Sequence, residues 1–302
     1  MHLLKECPVC ASSTGRQTIV LRRRVQHDGI ELDCDFVQCY ECDHVFLNPQ
    51  PTPEELKGFY NSEYHVFSVE PRSAAWVEAL LRDRLHGDRL NHARLVQGGR
   101  YLDVGCGLGD MVAAMQAAGM DAMGVDPSPI AVAIGNKNDR NLRHGMLHEL
   151  QLPGESFDSI TMYHSLEHGP VPVETLTECK RILKQDGILM VAVPNFLSYA
   201  HEWFWSGWTH LDPPYHLQHF CADSLKLAGQ RAGLVLRELQ TESFVNHIES
   251  EFTHWARRHL FLPQRLTLKL RLFRPLARHL YARAVALNRG DALIAHFARH
   301  EL

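Results

Sequence analysis

The chain has 302 residues, 45% of them hydrophobic, and a formal net charge of -4. That length supports one large core with a satellite module, or two modest domains, and the slightly acidic balance argues against a chain devoted to nucleic acid. No run approaches the roughly 18 consecutive apolar residues of a spanning helix, and the opening Met1-His2-Leu3-Leu4-Lys5-Glu6-Cys7 lacks the apolar stretch of a secretory leader.

The eight cysteines are therefore expected to stay reduced in the cytoplasm, where close pairs bind metal more often than they form disulfides. Cys7-Pro8-Val9-Cys10 and Cys39-Tyr40-Glu41-Cys42 stand 28 residues apart, room for two hairpin strands. Each pair brings two thiolates to one tetrahedral ion. Cys7, Cys10, Cys39 and Cys42 are expected to hold a structural zinc, since four sulfurs leave no open position for chemistry. Cys34, His44, Cys106, Cys179 and Cys221 fall outside that set. The only basic cluster of this module is Arg22-Arg23-Arg24 amid acids, so nucleic acid is a weaker partner for it than protein.

A Pro-rich run, Asn48-Pro49-Gln50-Pro51-Thr52-Pro53, closes the module near residue 60, and a charged helical connector is predicted over 61–97. From 98 onward, short β-rich runs alternate with helical patterns, which predicts βα units and a mostly parallel sheet. Strands are expected at 101–104, 122–125, near 142, at 157–163 and at 188–193. Helices are expected near 110–118, 129–137 and 173–183. A helix near 224–232, a strand at 234–239, a basic segment and a last strand at 292–297 complete the chain. The division is then 1–60, 61–97, 98–242, 243–290 and 291–302.

The strongest chemical signal is Leu102-Asp103-Val104-Gly105-Cys106-Gly107-Leu108-Gly109-Asp110, a strand running through a glycine turn into a helix. Glycine reaches positive φ and lets a ligand approach the main chain. The next strand ends in Gly124-Val125-Asp126, and Asp126, 21 residues after Gly105, can accept both hydroxyls of a ribose. A lone glycine turn would be ordinary strand–helix punctuation. Turn, helix and acid together favour a nucleoside ligand.

These residues resemble the first motif of class I S-adenosylmethionine-dependent methyltransferases. The resemblance continues in order through Gly124-Val125-Asp126-Pro127-Ser128, Ser156-Phe157-Asp158, Leu166-Glu167-His168 and Arg181-Ile182-Leu183-Lys184-Gln185-Asp186-Gly187, covering about 98–239. It implies an α/β, Rossmann-like sheet of seven strands with helices on both faces, extended here by the zinc-binding β module and a helical insertion near the C-terminus. It also implies S-adenosylmethionine as cofactor. Gly105, Cys106, Gly107 and Gly109 would form its loop, with Gly105 and Gly107 against the methionine part. Asp103 would hold the amino end and Asp126 the ribose. Relatives often carry Gly-Asp after the third strand; this chain has Gly145-Met146-Leu147, and Met146 and Leu147 would sandwich the adenine. A four-cysteine module joined to such a domain also resembles the sugar C-methyltransferases of deoxysugar pathways.

Tyr163-His164-Ser165-Leu166-Glu167-His168 follows the fourth strand of this series, and a helical turn would put His164, Glu167 and His168 on one face. Three readings compete. The residues shape the turn; or His164 or His168 is a general base; or the patch binds a divalent metal, as in the ubiquinone-biosynthesis O-methyltransferases it resembles, which have an acid where this chain has His164. The His-x-x-Glu-His pattern is also an inverted zinc-peptidase signature, but that needs a long helix and Gly169-Pro170 interrupts one. A second base candidate, His216, lies in the aromatic segment 201–220, where Trp203, Trp205 and Trp208 either form a lid or pack a loop. Tyr60 and Tyr64 either close the cofactor pocket or pack the connector.

Nine Lys or Arg and no Asp or Glu lie between Phe252 and Gly290, interleaved with leucines. Such a segment either packs as helices, on the domain or across a dimer, or lies on an anionic membrane, placing the protein peripherally at the inner face. The combined expectation is methyl transfer from S-adenosylmethionine to an oxygen, less favourably a carbon, of a small-molecule, sugar or lipid-linked acceptor. The rival is a non-catalytic S-adenosylmethionine-binding module whose zinc domain recruits a partner.

Overall fold

The β-rich runs of the central region do become neighbouring strands. A computed structural model describes residues 1–13, 17–27, 30–52, 55, 56, 58, 99–261 and 271–300. The predicted connector with Tyr60 and Tyr64, and Arg265 and Lys269 of the basic segment, lie outside the described residues.

The N-terminal hairpin comprises β1 (Gln17–His27) and β2 (Ile30–Cys39), followed by β3 (Val45–Leu47). The central region then runs β4 (Arg100–Val104), α1 (Asp110–Ala117), β5 (Asp121–Asp126), α2 (Pro129–Asn136), β6 (Leu142–His144) and β7 (Phe157–Tyr163). It continues through α3 (Pro172–Ile182), β8 (Leu183–Pro194), α4 (Tyr199–Phe204), β9 (Gln218–His219) and α5 (Ala222–Arg231). The chain closes with β10 (Val235–Glu242), α6 (Val245–Leu260), α7 (Arg274–Ala286) and β11 (Ala292–Ala298).

Seven strands form one sheet in the order β10-β11-β8-β7-β4-β5-β6. β4 to β8 run parallel, and β11 inserts antiparallel between β8 and β10. The order reverses beside β4, so the loops after β4 and β7 open at the switch point where α/β sheets bind ligands. Local chemistry fixes the helix starts. Ser128 accepts from the Ala131 amide at 3.2 Å with Pro129 at the first helical position of α2, and Ser198 does the same for His201 at 3.0 Å in α4.

The other sheet is β1-β2-β3-β9, all antiparallel. Its last strand comes from the middle of the chain, so the cysteine module is stitched to the central region rather than merely tethered. One apolar cluster accordingly contains Cys7, Val9, Cys39 and Phe46 together with Leu102, Phe157 and Val191. A second joins Phe36 and Leu47 of the module to Phe204, Trp208, Phe252 and Leu280.

The described parts of the basic segment are helical, in α6 and α7. Ile248, Phe252, Ala277 and Leu280 pack into that second cluster, while the outer faces of α6 and α7 remain apolar and exposed at Trp255, Leu260, Leu276, Tyr281 and Val285. No helix among the described residues is long and apolar enough to cross a membrane.

Candidate functional site

The glycine loop leaves β4 with φ of 75° at Gly105, 54° at Gly107 and 79° at Gly109. A β-carbon on Gly105 would lie 2.4 Å from Ser165 Cβ, so the loop after β7 presses on the glycine turn. Ser165 Oγ donates to the Val104 carbonyl at 2.9 Å and fixes that contact. The Gly107 amide donates to Asp126 Oδ2 and the Ser128 amide to Asp126 Oδ1, both at 2.8 Å. Burial pushes the Asp126 carboxyl up, against the pull of those two amides. Each oxygen still has a lone pair to offer a hydroxyl.

Three other loop residues differ in what they present. Asp103 is buried and accepts the Thr161 hydroxyl at 2.7 Å, with Tyr101 bonded to the same hydroxyl. The Cys106 thiol is packed with Met111, Val112 and Leu142, so this residue offers the loop its main chain. Arg140, which no sequence motif marks, is buried; it donates to the Leu108 carbonyl and pairs with Asp110 at 2.7 Å, holding the loop to the start of α1. Past β6, Leu147 is buried at the start of a 3-10 turn and Met146 is half-buried beside it.

The turn after β7 departs from the expected helical face. His164 sits in the left-handed region at φ 51°, and only Leu166–His168 form a short 3-10 helix. Gly169-Pro170 stops it there, so the long helix of a zinc peptidase is absent from the described residues. Contact is made another way: His164 Nδ1 lies 3.1 Å from Glu167 Oε1. Burial pushes the Glu167 carboxyl up, but the His164 hydrogen bond and the neighbouring histidine charges outweigh it and leave the group at about 2. Glu167 is thus an ionised, fully buried acid.

His216 reaches the same place because the aromatic segment is tied to this turn. The Leu217 amide donates to the Glu167 carbonyl at 2.9 Å, and Gln218 Nε2 donates to the Gly169 carbonyl at 3.0 Å. His168 Nδ1 faces the Tyr215 carbonyl at 3.1 Å and His216 Nδ1 faces the His210 carbonyl at 2.8 Å. A carbonyl only accepts, so both Nδ1 atoms carry protons, and in a neutral ring of that tautomer Nε2 is the nitrogen with the lone pair. Burial, then the charge of His216, pushes His168 down to about 3. Glu167 Oε2 is buried with no partner among the described residues.

Ligand atoms of Glu167, His168 and His216 all lie within 4.8 Å of one another, a set that could hold a divalent ion. His164 stays outside it, 29% exposed, its ring stacked on His210 at 5.9 Å. His210 was not singled out from the sequence; lying in a loop without periodicity, it gave no signal. Of the three tryptophans, Trp208 is core, whereas Trp203 and Trp205 are half exposed.

At the other end, Cys7 Sγ lies 3.7 Å from Cys42 Sγ and Cys10 Sγ 3.6 Å from Cys39 Sγ. Tetrahedral zinc with bonds of about 2.3 Å requires sulfurs roughly 3.8 Å apart. All eight cysteines are free.

The family model described as a methyltransferase domain matches residues 74–239. The ubiquinone biosynthesis O-methyltransferase of Dechloromonas aromatica is 37% identical over 117 residues, 36% of this chain and 50% of that protein. Its Haemophilus ducreyi namesake is 34% identical over 109 residues, 32% of this chain and 46% of that protein. The chain thus spans about half the length of the curated relatives it matches. Among solved structures, a sarcosine dimethylglycine methyltransferase candidate from Galdieria sulphuraria aligns with TM-score 0.51 at 16% identity, covering 81% of this chain and 98% of that one. The cyclase SpnF aligns at TM-score 0.50 and 22% identity, covering 76% and 84%, so the likeness speaks for the fold and not for one reaction. With more than half its length matched, the chain belongs to the methyltransferase-domain family of S-adenosylmethionine-dependent enzymes.

Proposed function

We propose that this protein transfers the methyl group of S-adenosylmethionine to a hydroxyl oxygen of a small or lipid-linked acceptor. The observation that carries this reading is the contact of Ser165 with Gly105, which sets the His164–Glu167 pair against the glycine loop. The curated relatives, named for O-methylation in ubiquinone biosynthesis, support oxygen as the atom methylated. When bound, the cofactor supplies a methyl carbon already activated by a positive sulfur.

The chain's own residues do the rest. Asp126 accepts the ribose hydroxyls, and the glycine loop carries the methionine part; Met146 and Leu147 flank the adenine. Glu167 Oε1 accepts from His164 Nδ1–H and turns His164 Nε2 outward as the base. Transfer would exchange the methyl carbon's bond to sulfur for one to the acceptor oxygen, leaving S-adenosylhomocysteine, and His164 would take up the hydroxyl proton. Glu167 Oε2, His168 Nε2 and His216 Nε2 would hold a divalent ion that lowers the pKa of the acceptor hydroxyl. Two imidazoles and one carboxylate suit zinc, manganese or iron(II) better than magnesium or calcium. In this reading His168 and His216 are ligands and His164 is the base.

Residues 1–60 form the zinc module, with Cys7, Cys10, Cys39 and Cys42 as ligands, packed on a transfer domain of residues 98–242 closed by 291–302. The exposed apolar face of α6 and α7, among arginines, would touch an anionic membrane and meet a lipid-linked acceptor there. Flotation with anionic vesicles that weakens as salt rises tests that contact.

The reaction is tested with His164→Ala. It should bind S-adenosylmethionine as wild type does yet lose about 10²–10⁴-fold in turnover on hydroxylated aromatic acceptors. Full turnover in that variant removes His164 as the base.

A further inference from the structure

Arg22, Arg23 and Arg24 lie in succession on β1, and a strand sends successive side chains to opposite faces. Arg22 Nε meets Asp35 Oδ1 at 2.6 Å and Arg24 Nε meets Asp33 Oδ1 at 2.8 Å across the hairpin. Arg23 faces the other way, stands opposite Cys34, and is paired with no acid of its own hairpin among the described residues.

Instead it lines a cavity of about 320 Å³ with Thr209, Asp212, His254, Arg258 and His259. Burial, and then the charge of Arg258, push the Arg23 guanidinium below its ordinary value, with Asp212 opposing. Two guanidiniums therefore line one cavity, and among its described lining residues Asp212 supplies the one carboxylate. In the same wall, His254 Nδ1 is buried with no partner among the described residues. Like charges gathered around unfilled space repel each other, and an anion between them would turn that repulsion into attraction. The guanidinium fork matches phosphoryl oxygens in particular.

We propose that this cavity binds a phosphoryl anion, a phosphate or diphosphate ester, between Arg23 and Arg258. The inference is independent of the methyl-transfer reading. It does add to it, because Thr209 and Asp212 flank the turn that carries His210, and His210 stacks on His164 at 5.9 Å. A phosphorylated acceptor would be gripped on one face of that turn and presented to His164 on the other.

The test is calorimetric titration of the full chain with sodium pyrophosphate at constant ionic strength. Wild type should show one saturable site, and Arg23→Gln and Arg258→Gln should each weaken it at least about ten-fold, as loss of a charge-assisted hydrogen bond would. Arg278→Gln removes the same charge from the exposed face of α7 and should leave affinity within about two-fold. S-adenosylmethionine affinity reports that each variant is folded. If Arg23→Gln fails that check, Arg23→Lys keeps the charge without the fork and should still weaken pyrophosphate binding. Vesicles of phosphatidylglycerol then separate the sources: competition assigns the site to a lipid phosphoryl group, and its lack to a soluble one. No saturable binding by wild type, or equal losses in Arg23→Gln, Arg258→Gln and Arg278→Gln, would overturn the proposal.

Discussion

His168 and His216 come from different segments, yet their rings meet edge to face with centroids 4.6 Å apart. Each has its Nδ1 proton committed to a backbone carbonyl, and a ligand atom of each lies within 4.8 Å of one on Glu167, whose Oε2 is buried without a partner among the described residues. Removing a ligand should be costly, since even partners behind a ligand are typically worth about 10–100-fold in affinity. Manganese titrated into the chain should bind at least about ten-fold more weakly in Glu167→Gln and in His216→Ala, with S-adenosylmethionine affinity preserved. Equal manganese binding in wild type and both variants would rule out the ion.

The sulfur geometry predicts one tightly held zinc per chain at the N-terminal site. Cys39→Ser should release it and, because Phe46 and Cys39 share a cluster with the central sheet, lower the melting temperature. Glu167→Gln should leave that zinc in place. Metal analysis finding full zinc in Cys39→Ser would dismiss the four-cysteine assignment.

Glu251, on α6, makes a pH prediction. Burial lifts its carboxyl to about 7, against hydrogen bonds from Thr209 and with the Asp291 charge adding to the rise. An acid whose folded pKa exceeds its unfolded value binds more protons when folded, so stability falls as pH rises from about 4.5 to 7. Glu251→Gln removes that dependence. Its denaturation midpoint should match wild type near pH 4.5 and exceed it at pH 8, by on the order of 2–3 kcal/mol in stability. A difference that does not change with pH would show that Glu251 is not held protonated.

Asp126→Ala leaves the Gly107 and Ser128 amides without their shared acceptor and removes the proposed ribose ligand. Calorimetry should show S-adenosylmethionine binding weakened by about 1.5–3 kcal/mol. Unchanged affinity would mean that the ribose lies elsewhere.

Much of this was legible in the sequence because periodic signals were strong. The β-rich runs predicted at 157–163 and 101–104 became β7 and β4, and the glycine turn took the positive φ values that its composition allows. The paired cysteines converged as their spacing implied. What the sequence hid was non-local or too short to carry a period. β9 has only two residues, so nothing announced that it would complete the N-terminal sheet. His164 and Glu167 were expected on one helical face; they meet instead because a left-handed residue folds the chain back before Gly169-Pro170 ends the turn. Arg140 acts through the Leu108 carbonyl, a partner no side-chain motif encodes.

The central claim is turnover rather than binding, and methyl-labelled S-adenosylmethionine measures it directly. The chain, supplied with zinc, manganese and a mixture of hydroxylated aromatic and lipid-linked acceptors, should form S-adenosylhomocysteine and place the label on an acceptor oxygen. His164→Ala should bind the labelled cofactor equally well and move almost none of it. Tight cofactor binding by wild type with no S-adenosylhomocysteine formed would contradict the account and leave a binding module in its place.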